Sequence, residues 1–175
     1  MKEVYEVGTA VVYDVYGVCI VKEVKLMSFF NGQPKESYYV LSPLNNRAST
    51  YYVPVNKDNT QMKLRKPLSE AEIRRLLSQS EKCECSWIEN RQLRSERYRQ
   101  IMEKGISPEL LALIKCIYAR KKELLGKGKT LSATDESVLA SAGKMVNEEF
   151  AYSLGIEAED VGSYIHNCIE KRDSI

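Results

Sequence analysis

Pro67-Leu68-Ser69-Glu70-Ala71-Glu72 is the stretch at which the sequence pattern changes from strands to helices. Before it, short runs of apolar residues alternate with polar ones, which is the period of a β-strand. After it, apolar residues recur every three to four positions, which is the period of a helix. Ser69 and Glu72 have the spacing of a capping box, in which two side chains satisfy free N–H groups of the first helical turn. The stretch therefore predicts a boundary between a β domain and a helical domain.

The N-terminal third predicts short strands joined by tight turns. Its apolar runs are rich in β-branched and aromatic residues, and Asn31-Gly32 is typical of a hairpin turn. Pro54 fits the end of a strand or a sheet edge, because proline cannot donate a hydrogen bond to a neighbouring strand. The five predicted strands are residues 9–13, 18–27, 36–41, 49–55 and 62–65. We expect a small antiparallel barrel or sheet over residues 1–66.

Residues 67–175 predict a compact helical bundle. The first helix runs from the capping box to about Leu77, and a linker over residues 78–86 follows. Later helices open on N-cap serines, Ser107 and Ser132, and end close to glycines. The remaining helices are predicted over residues 90–103, 107–126, 132–154 and 158–170. The fold class is thus α+β, with a five-stranded antiparallel module before an all-helical part.

Trp87 is the only tryptophan in the chain, and a row of arginines follows it: Arg91, Arg94, Arg97 and Arg99. Arginines can neutralise phosphates, and a large apolar ring can press against or between bases. Residues 91–129 carry eleven Lys and Arg against four Asp and Glu, whereas residues 130–175 carry three against nine. This pattern favours a DNA contact at Trp87. The ring could equally anchor a small core, and the charges could be a solvated helix face.

Other function classes find little support in the sequence. Phosphate loops, dinucleotide fingerprints and zincin motifs are absent, and the single histidine, His166, has no evident Cys or carboxylate partner. We expect no enzyme, no cofactor and no metal. The five scattered cysteines predict reduced, mostly buried thiols. An apolar run of the roughly 20 residues that span a bilayer is also absent, as is a signal peptide, which predicts a cytoplasmic protein with no membrane contact.

The order of several motifs resembles the CarD/CdnL family of bacterial transcription regulators. The family opens with Gly and then Val-Val-Tyr-Pro-x-His-Gly-Val; residues 8–18 follow this pattern, with Asp14 and Tyr16 in place of Pro and His. A Tyr-x-Val-Leu strand, a Val-Pro strand, a Leu-Arg strand, a Trp and an Arg-Tyr-basic segment then follow. The matching segments are residues 38–41, 51–55 and 63–65, Trp87, Arg97-Tyr98-Arg99 and Glu103-Lys104-Gly105.

This resemblance implies a Tudor-like RNA polymerase-interacting domain at residues 1–66 and a helical DNA-binding domain at residues 67–175. Proteins of the family bind the polymerase β subunit at promoters and wedge their Trp into the minor groove at the upstream edge of the melted DNA. The wedge stabilises the open complex. The implied DNA contacts are Trp87, Arg91, Arg94, Arg97 and Arg99, and the implied polymerase contacts are Met27, Tyr52, Val53 and Pro54. The expected partners are the β subunit and promoter DNA without sequence specificity, bound by a nucleoid-associated monomer.

Two departures from the family bear on the polymerase contact. Tyr52 stands where a basic residue commonly precedes Val-Pro, and Met27 stands near a second contact position. We therefore expect a more aromatic and apolar interface. Since neighbouring residues of a strand face opposite sides, one of Tyr51 and Tyr52 faces the core, and we predict that Tyr52 faces outward. Three additional residues, relative to the family pattern, separate Trp87 from the Arg-Tyr-Arg segment.

A protein–protein adaptor is the alternative function. In this case the Tudor-like barrel would bind a peptide, the chain would not contact DNA, and Trp87 would be a core or interface anchor. Salt-dependent binding to forked DNA separates the two functions, because an adaptor would not show it. An enzyme would need titratable groups clustered in a pocket.

Overall fold

A computed structural model of the chain describes residues 4–56 and 64–170. The chain divides into two compact units, Met1–Leu68 and Ser69–Ile175. In the described residues the first unit is an antiparallel sheet and the second is helical, which confirms the α+β class. No helix within these described ranges is both long enough and apolar enough to cross a membrane.

The sheet of the first unit has the strand order β4-β3-β2-β1-β5, with each neighbouring pair antiparallel. This order places β4 and β5 at the two edges. The strands are β1 (Ala10–Tyr13), β2 (Val18–Met27), β3 (Glu36–Pro43), β4 (Tyr51–Pro54) and β5 (Leu64–Arg65). Five predicted strands are therefore present, and the first two residues of the last one, 62 and 63, lie outside the described residues.

One face of the sheet builds the core of this unit. Because side chains alternate across a strand, Tyr39 and Leu41 of β3 face inward together with Val53 of β4. The hydroxyl of Tyr39 accepts a hydrogen bond from the backbone N–H of Tyr5 at 3.1 Å, and the two rings meet edge to face. The buried cluster consists of Tyr5, Val11, Cys19, Val21, Tyr39, Leu41, Val53 and Leu64.

The turn between β1 and β2 differs from the one that the family pattern would give. It is a single 3₁₀ turn over Asp14–Tyr16, in which Asp14 has a φ of 42°. The ring of proline holds φ near about −65°, so the Pro of the pattern could not adopt this conformation. Aspartate is one of the few residues that tolerate positive φ. The departure from Pro to Asp at position 14 therefore accompanies a different local backbone.

The second unit contains five α-helices within its described residues. They are α1 (Glu70–Ser80), α2 (Arg91–Glu103), α3 (Pro108–Gly126), α4 (Ala133–Leu154) and α5 (Val161–Glu170), with a 3₁₀ turn over Ala158–Asp160 before the last. The predicted capping box is present: Ser69 Oγ accepts from the backbone N–H of Glu72, and the Glu72 carboxylate accepts from the N–H of Ser69 at 2.7 Å. α1 runs through Ser80, so the first three residues of the predicted linker are helical. Residues 81–90 then connect α1 to α2 without helix or strand.

The helical core forms where the apolar stripes of the helices meet. α1 packs against α3 and α5, and α3 packs against α4. Fully buried side chains include Ile73, Leu110, Ile117, Phe150 and Val161. All five cysteines are free thiols, but only Cys19 is buried and the other four are half-buried. The expectation of mostly buried thiols is therefore wrong.

Candidate nucleic-acid and polymerase contact sites

Trp87 lies in the connection between α1 and α2, and its ring is half-buried. The guanidinium carbon of Arg94 lies 4.5 Å from the ring centroid, and that of Arg120 lies 5.3 Å from it. Beside the ring is a crevice of about 20 Å³, lined among others by Arg97, Leu113 and Ile117. A crevice of this size holds about one water molecule. Trp87 is therefore packed on one side and reaches the surface on the other, without a pocket for a small ligand.

Arg94 is buried and fully engaged within the protein. Its Nε and Nη2 donate to the two carboxylate oxygens of Asp135 at 2.9 and 3.2 Å. Its Nη1 donates to the backbone carbonyls of Ile88 at 2.7 Å and Glu89 at 3.2 Å. Arg94 is 8% exposed and Asp135 is 2% exposed, so this is a buried ion pair. The structure therefore contradicts the predicted role of Arg94 as a phosphate contact, because its donors are already used by protein acceptors.

Asp135 is the centre of the buried network around Arg94. Its carboxylate also accepts from the hydroxyl of Tyr98 at 2.8 Å and from that of Ser132 at 2.6 Å. Burial alone would raise the pKa of Asp135, but the hydrogen bonds from Arg94, Ser132 and Tyr98 outweigh it and hold the pKa below its ordinary value. The hydrogen bond to Asp135 likewise raises the pKa of Arg94. Both groups are consequently charged at neutral pH.

The other predicted arginines lie on the surface of α2, but they differ in what they contact. Arg97 is exposed, and within the described residues no carboxylate pairs with it. Arg91 is exposed and donates to the hydroxyl of Thr134 at 3.4 Å. Arg99 forms ion pairs with Glu96 at 2.6 Å and Glu103 at 2.5 Å, and the hydrogen bond to Glu96 is the main cause that raises its pKa. Arg97 is thus the arginine most available to a phosphate.

Cys85 and Cys116 line the same crevice as Trp87. Burial and a hydrogen bond to Cys116 raise the pKa of the Cys85 thiol to about 12. A thiol with such a pKa is almost entirely protonated at neutral pH and is a poor nucleophile. The sequence offered no reason to place these two residues together, because they are 31 positions apart. No group of three or more His, Cys, Asp or Glu in residues 4–56 and 64–170 is placed to hold a metal ion.

On the sheet, the predicted polymerase contacts divide between the two faces. Tyr52 is 43% exposed, which confirms that it faces outward. Met27 pairs with Glu36 and Tyr52 pairs with Val40. Because Glu36 and Val40 are an even number of residues apart on β3, Met27 and Tyr52 lie on the same face. Pro54, two residues after Tyr52, is half-buried on that face as well.

Val53 faces the opposite way and belongs to the core. It pairs with Tyr39 and is completely buried. Among the predicted polymerase contacts, Val53 therefore presents no exposed side chain to a partner. The same alternation that turns Tyr52 outward turns Val53 inward.

Sequence reasoning also missed two exposed phenylalanines. Phe29 is 50% exposed, and its ring centroid lies 5.1 Å from that of Tyr38 and 5.6 Å from that of Tyr52. Both contacts are edge to face, a favourable arrangement for aromatic pairs. We call Phe29, Tyr38 and Tyr52 the aromatic cluster. Phe30 follows it and is 69% exposed. The available signal was a pair of large apolar residues immediately before a hairpin turn.

The family comparison covers the sheet unit. Residues 5–68 match the family model described as CarD-like/TRCF RID domain. This segment is a CarD-like/TRCF RID domain. RID domains of this family interact with the RNA polymerase β subunit. A search of the curated proteins found no match to the chain.

The RID domain contains Met27, Tyr52 and Pro54 together with the aromatic cluster. The match supports an RNA polymerase-interacting protein, and the resemblance of the N-terminal part is confirmed. Trp87 and the arginines lie beyond the RID domain, in the helical unit that the family match does not reach.

Proposed function

We propose that the chain is a transcription regulator that binds the RNA polymerase β subunit through its RID domain and stabilises the promoter open complex. In this proposal Trp87 wedges into the minor groove at the upstream edge of the melted DNA. The observation that carries it is the single, half-buried Trp87 near the exposed Arg97, in the unit that follows a RID domain. No enzymatic step and no cofactor are part of this function.

The DNA contacts that we propose are Trp87, Arg91, Arg97 and Arg99, with Arg94 excluded. A protein that only holds open a fork needs an apolar wedge and phosphate ligands, without base-specific contacts. The ion pairs of Arg99 lie in solvent, and water and salt screen such exposed pairs. A phosphate can therefore replace a carboxylate at Arg99 at little cost. Arg97 needs no such exchange with any carboxylate of the described residues.

The polymerase contact that we propose is the outward face of the sheet, with Tyr52, Met27, Pro54 and the aromatic cluster. Aromatic side chains are enriched among the residues that dominate binding energy at interfaces. A contact of this kind depends on buried apolar area, so its affinity changes little with salt. Binding to polymerase also raises the effective concentration of the weak DNA site, to about millimolar for a short flexible connection. This tether explains how a helical unit with modest charge suffices.

Binding to the isolated β subunit tests the polymerase half of the proposal. Tyr52→Glu places a charge within the aromatic cluster and should weaken capture of the β subunit at least tenfold, a loss of about 1.4 kcal/mol. Tyr152→Glu is the matched control, because Tyr152 is also 43% exposed but lies on α4 of the helical unit. Equal capture of the two variants would place the polymerase contact elsewhere.

Binding to forked DNA tests the other half against the adaptor alternative. The affinity should fall with salt. Arg97→Gln removes one phosphate ligand and should reduce the slope of log K against log salt by about 0.7 to 0.9. Arg75→Gln is the control, since Arg75 is an exposed arginine of α1 that does not line the crevice beside Trp87. Absence of binding to forked DNA, or binding that does not weaken with salt, would favour the adaptor.

A further inference from the structure

The position of the Trp87 ring requires an explanation, because residues 81–90 have no regular secondary structure. The guanidinium of Arg94 lies over the ring at 4.5 Å from the centroid, and its Nη1 donates to the carbonyls of the two residues that follow Trp87. Arg120 also reaches this segment, but its distances are longer: 5.3 Å to the ring centroid and 3.5 Å to the exposed carboxylate of Glu89. Arg94 therefore binds both the side chain of Trp87 and the backbone next to it.

Arg94 is itself held by the first turn of α4. Both oxygens of the Asp135 carboxylate accept from it, and Tyr98 and Ser132 donate to the same carboxylate. Two hydrogen bonds to Asp135 on one edge and two to backbone carbonyls from Nη1 orient the plane of the guanidinium. The Arg94–Asp135 pair thus connects the Trp87 segment to α2 and α4.

Stability alone does not account for such a pair. The desolvation of two buried charges offsets most of their attraction, and apolar side chains of similar volume are often as stabilising. A guanidinium offers what apolar side chains lack: a flat cation that stacks on an aromatic face while its edge donates hydrogen bonds in fixed directions. These properties suit a group that orients a ring.

We infer that Arg94 and Asp135 are positioning residues for Trp87, which hold the ring in one orientation before DNA binds. This inference rests on the proposed wedge, and it adds that the wedge is pre-ordered. Ordering one side chain on binding weakens the complex about twofold to tenfold, so a ring that is already fixed avoids this loss. Arg94 acts through Trp87 and makes no contact with DNA.

The fluorescence of the intact protein tests the inference directly, because Trp87 is the only tryptophan. Arg94→Lys keeps the charge opposite Asp135 but removes the flat group over the ring and its fixed donors. The local motion of Trp87, measured by anisotropy decay and by acrylamide quenching, should increase in this variant while the circular dichroism stays unchanged. Asp135→Asn is the second variant should Arg94→Lys fail to fold, and Arg75→Lys is the control that should leave the ring motion as it is.

The open-complex lifetime is the second readout, with Trp87→Ala measured in parallel. The inference predicts that Arg94→Lys shortens the lifetime about twofold to tenfold. Unchanged ring motion in folded Arg94→Lys would overturn the inference. An unchanged lifetime in Arg94→Lys, with a shortened one in Trp87→Ala, would overturn it too. Should Trp87→Ala itself leave the lifetime unchanged, the proposed function fails, and the ring motion still decides whether Arg94 positions Trp87.

Discussion

Replacing Asp135 by alanine should destabilise the helical unit far more than replacing the acid next to it. The substitution removes the acceptor for Arg94 and Tyr98 and leaves a buried guanidinium without its counter-charge. Side-chain exposure is 10% for Arg94 and 3% for Asp135, so water cannot replace the missing carboxylate. Breaking a buried pair from one side costs about 3 to 5 kcal/mol of unfolding free energy.

Glu136→Ala is the matched control for this prediction. Glu136 lies in the same first turn of α4, so both acids interact favourably with the positive end of the helix. Its ion pair with Lys121 is only half-buried, and its loss should cost about 1 kcal/mol. Urea unfolding followed by Trp87 fluorescence reports on the helical unit alone, because the RID domain contains no tryptophan. Equal losses in the two variants would refute the reasoning that the Arg94–Asp135 pair is buried and shielded from water.

The cap of α1, the Cys85 thiol and the pH response of Asp135 give three more predictions. Ser69→Ala should lower the unfolding free energy by about 0.5 to 2 kcal/mol, since the capping box at α1 loses its acceptor; urea unfolding measures this, and no loss would contradict the cap. Cys85, with a pKa of about 12, should be roughly one part in ten thousand thiolate at about pH 8. Iodoacetamide should therefore alkylate Cys85 much more slowly than Cys83. Mass spectrometry of the peptides measures the two rates, and equal rates would contradict the raised pKa of Cys85. Because the pKa of Asp135 is lowered in the folded protein, its stabilisation is present above the ordinary pKa of 3.8 and is lost as the pH falls through the lower folded value. The unfolding free energy, measured between about pH 5 and about pH 2, should therefore change less with pH in Asp135→Asn than in wild type.

Local patterns in the sequence predicted most of the fold. The capping box at Ser69 is set by two side chains three residues apart, and the N-cap at Ser107 by one side chain and the backbone N–H of Leu110, so the local sequence contains the whole signal. The strands were equally evident from alternation, and alternation also contained the answer for Val53. Once Tyr52 faces outward, Val53 must face inward. The motif match nevertheless named both as polymerase contacts, because a motif does not distinguish residues that bind from residues that hold the strand in place.

The surroundings of Trp87 could be predicted only in part. Arg94 lies on the same helical face as Tyr98 and Ile101, at spacings of four and seven, and both of these are buried. This periodicity indicated an inward-facing Arg94. Its partner, Asp135, lies 41 residues away, and only the packing of α2 against α4 brings the two together. Long-range pairs of this kind depend on tertiary structure. Counting charges along the chain therefore placed Arg94 among the surface arginines, although its side chain is buried.

The lifetime of the promoter open complex in wild type and Trp87→Ala is the measurement that tests the central claim most directly. Unstacking a base step costs a few kcal/mol, and a wedge that offsets even about 1.4 kcal/mol of this changes the lifetime tenfold. With the variant folded and its capture of the β subunit unchanged, the account predicts a lifetime at least about tenfold shorter than with wild type. An unchanged lifetime would show that Trp87 does not act on melted DNA.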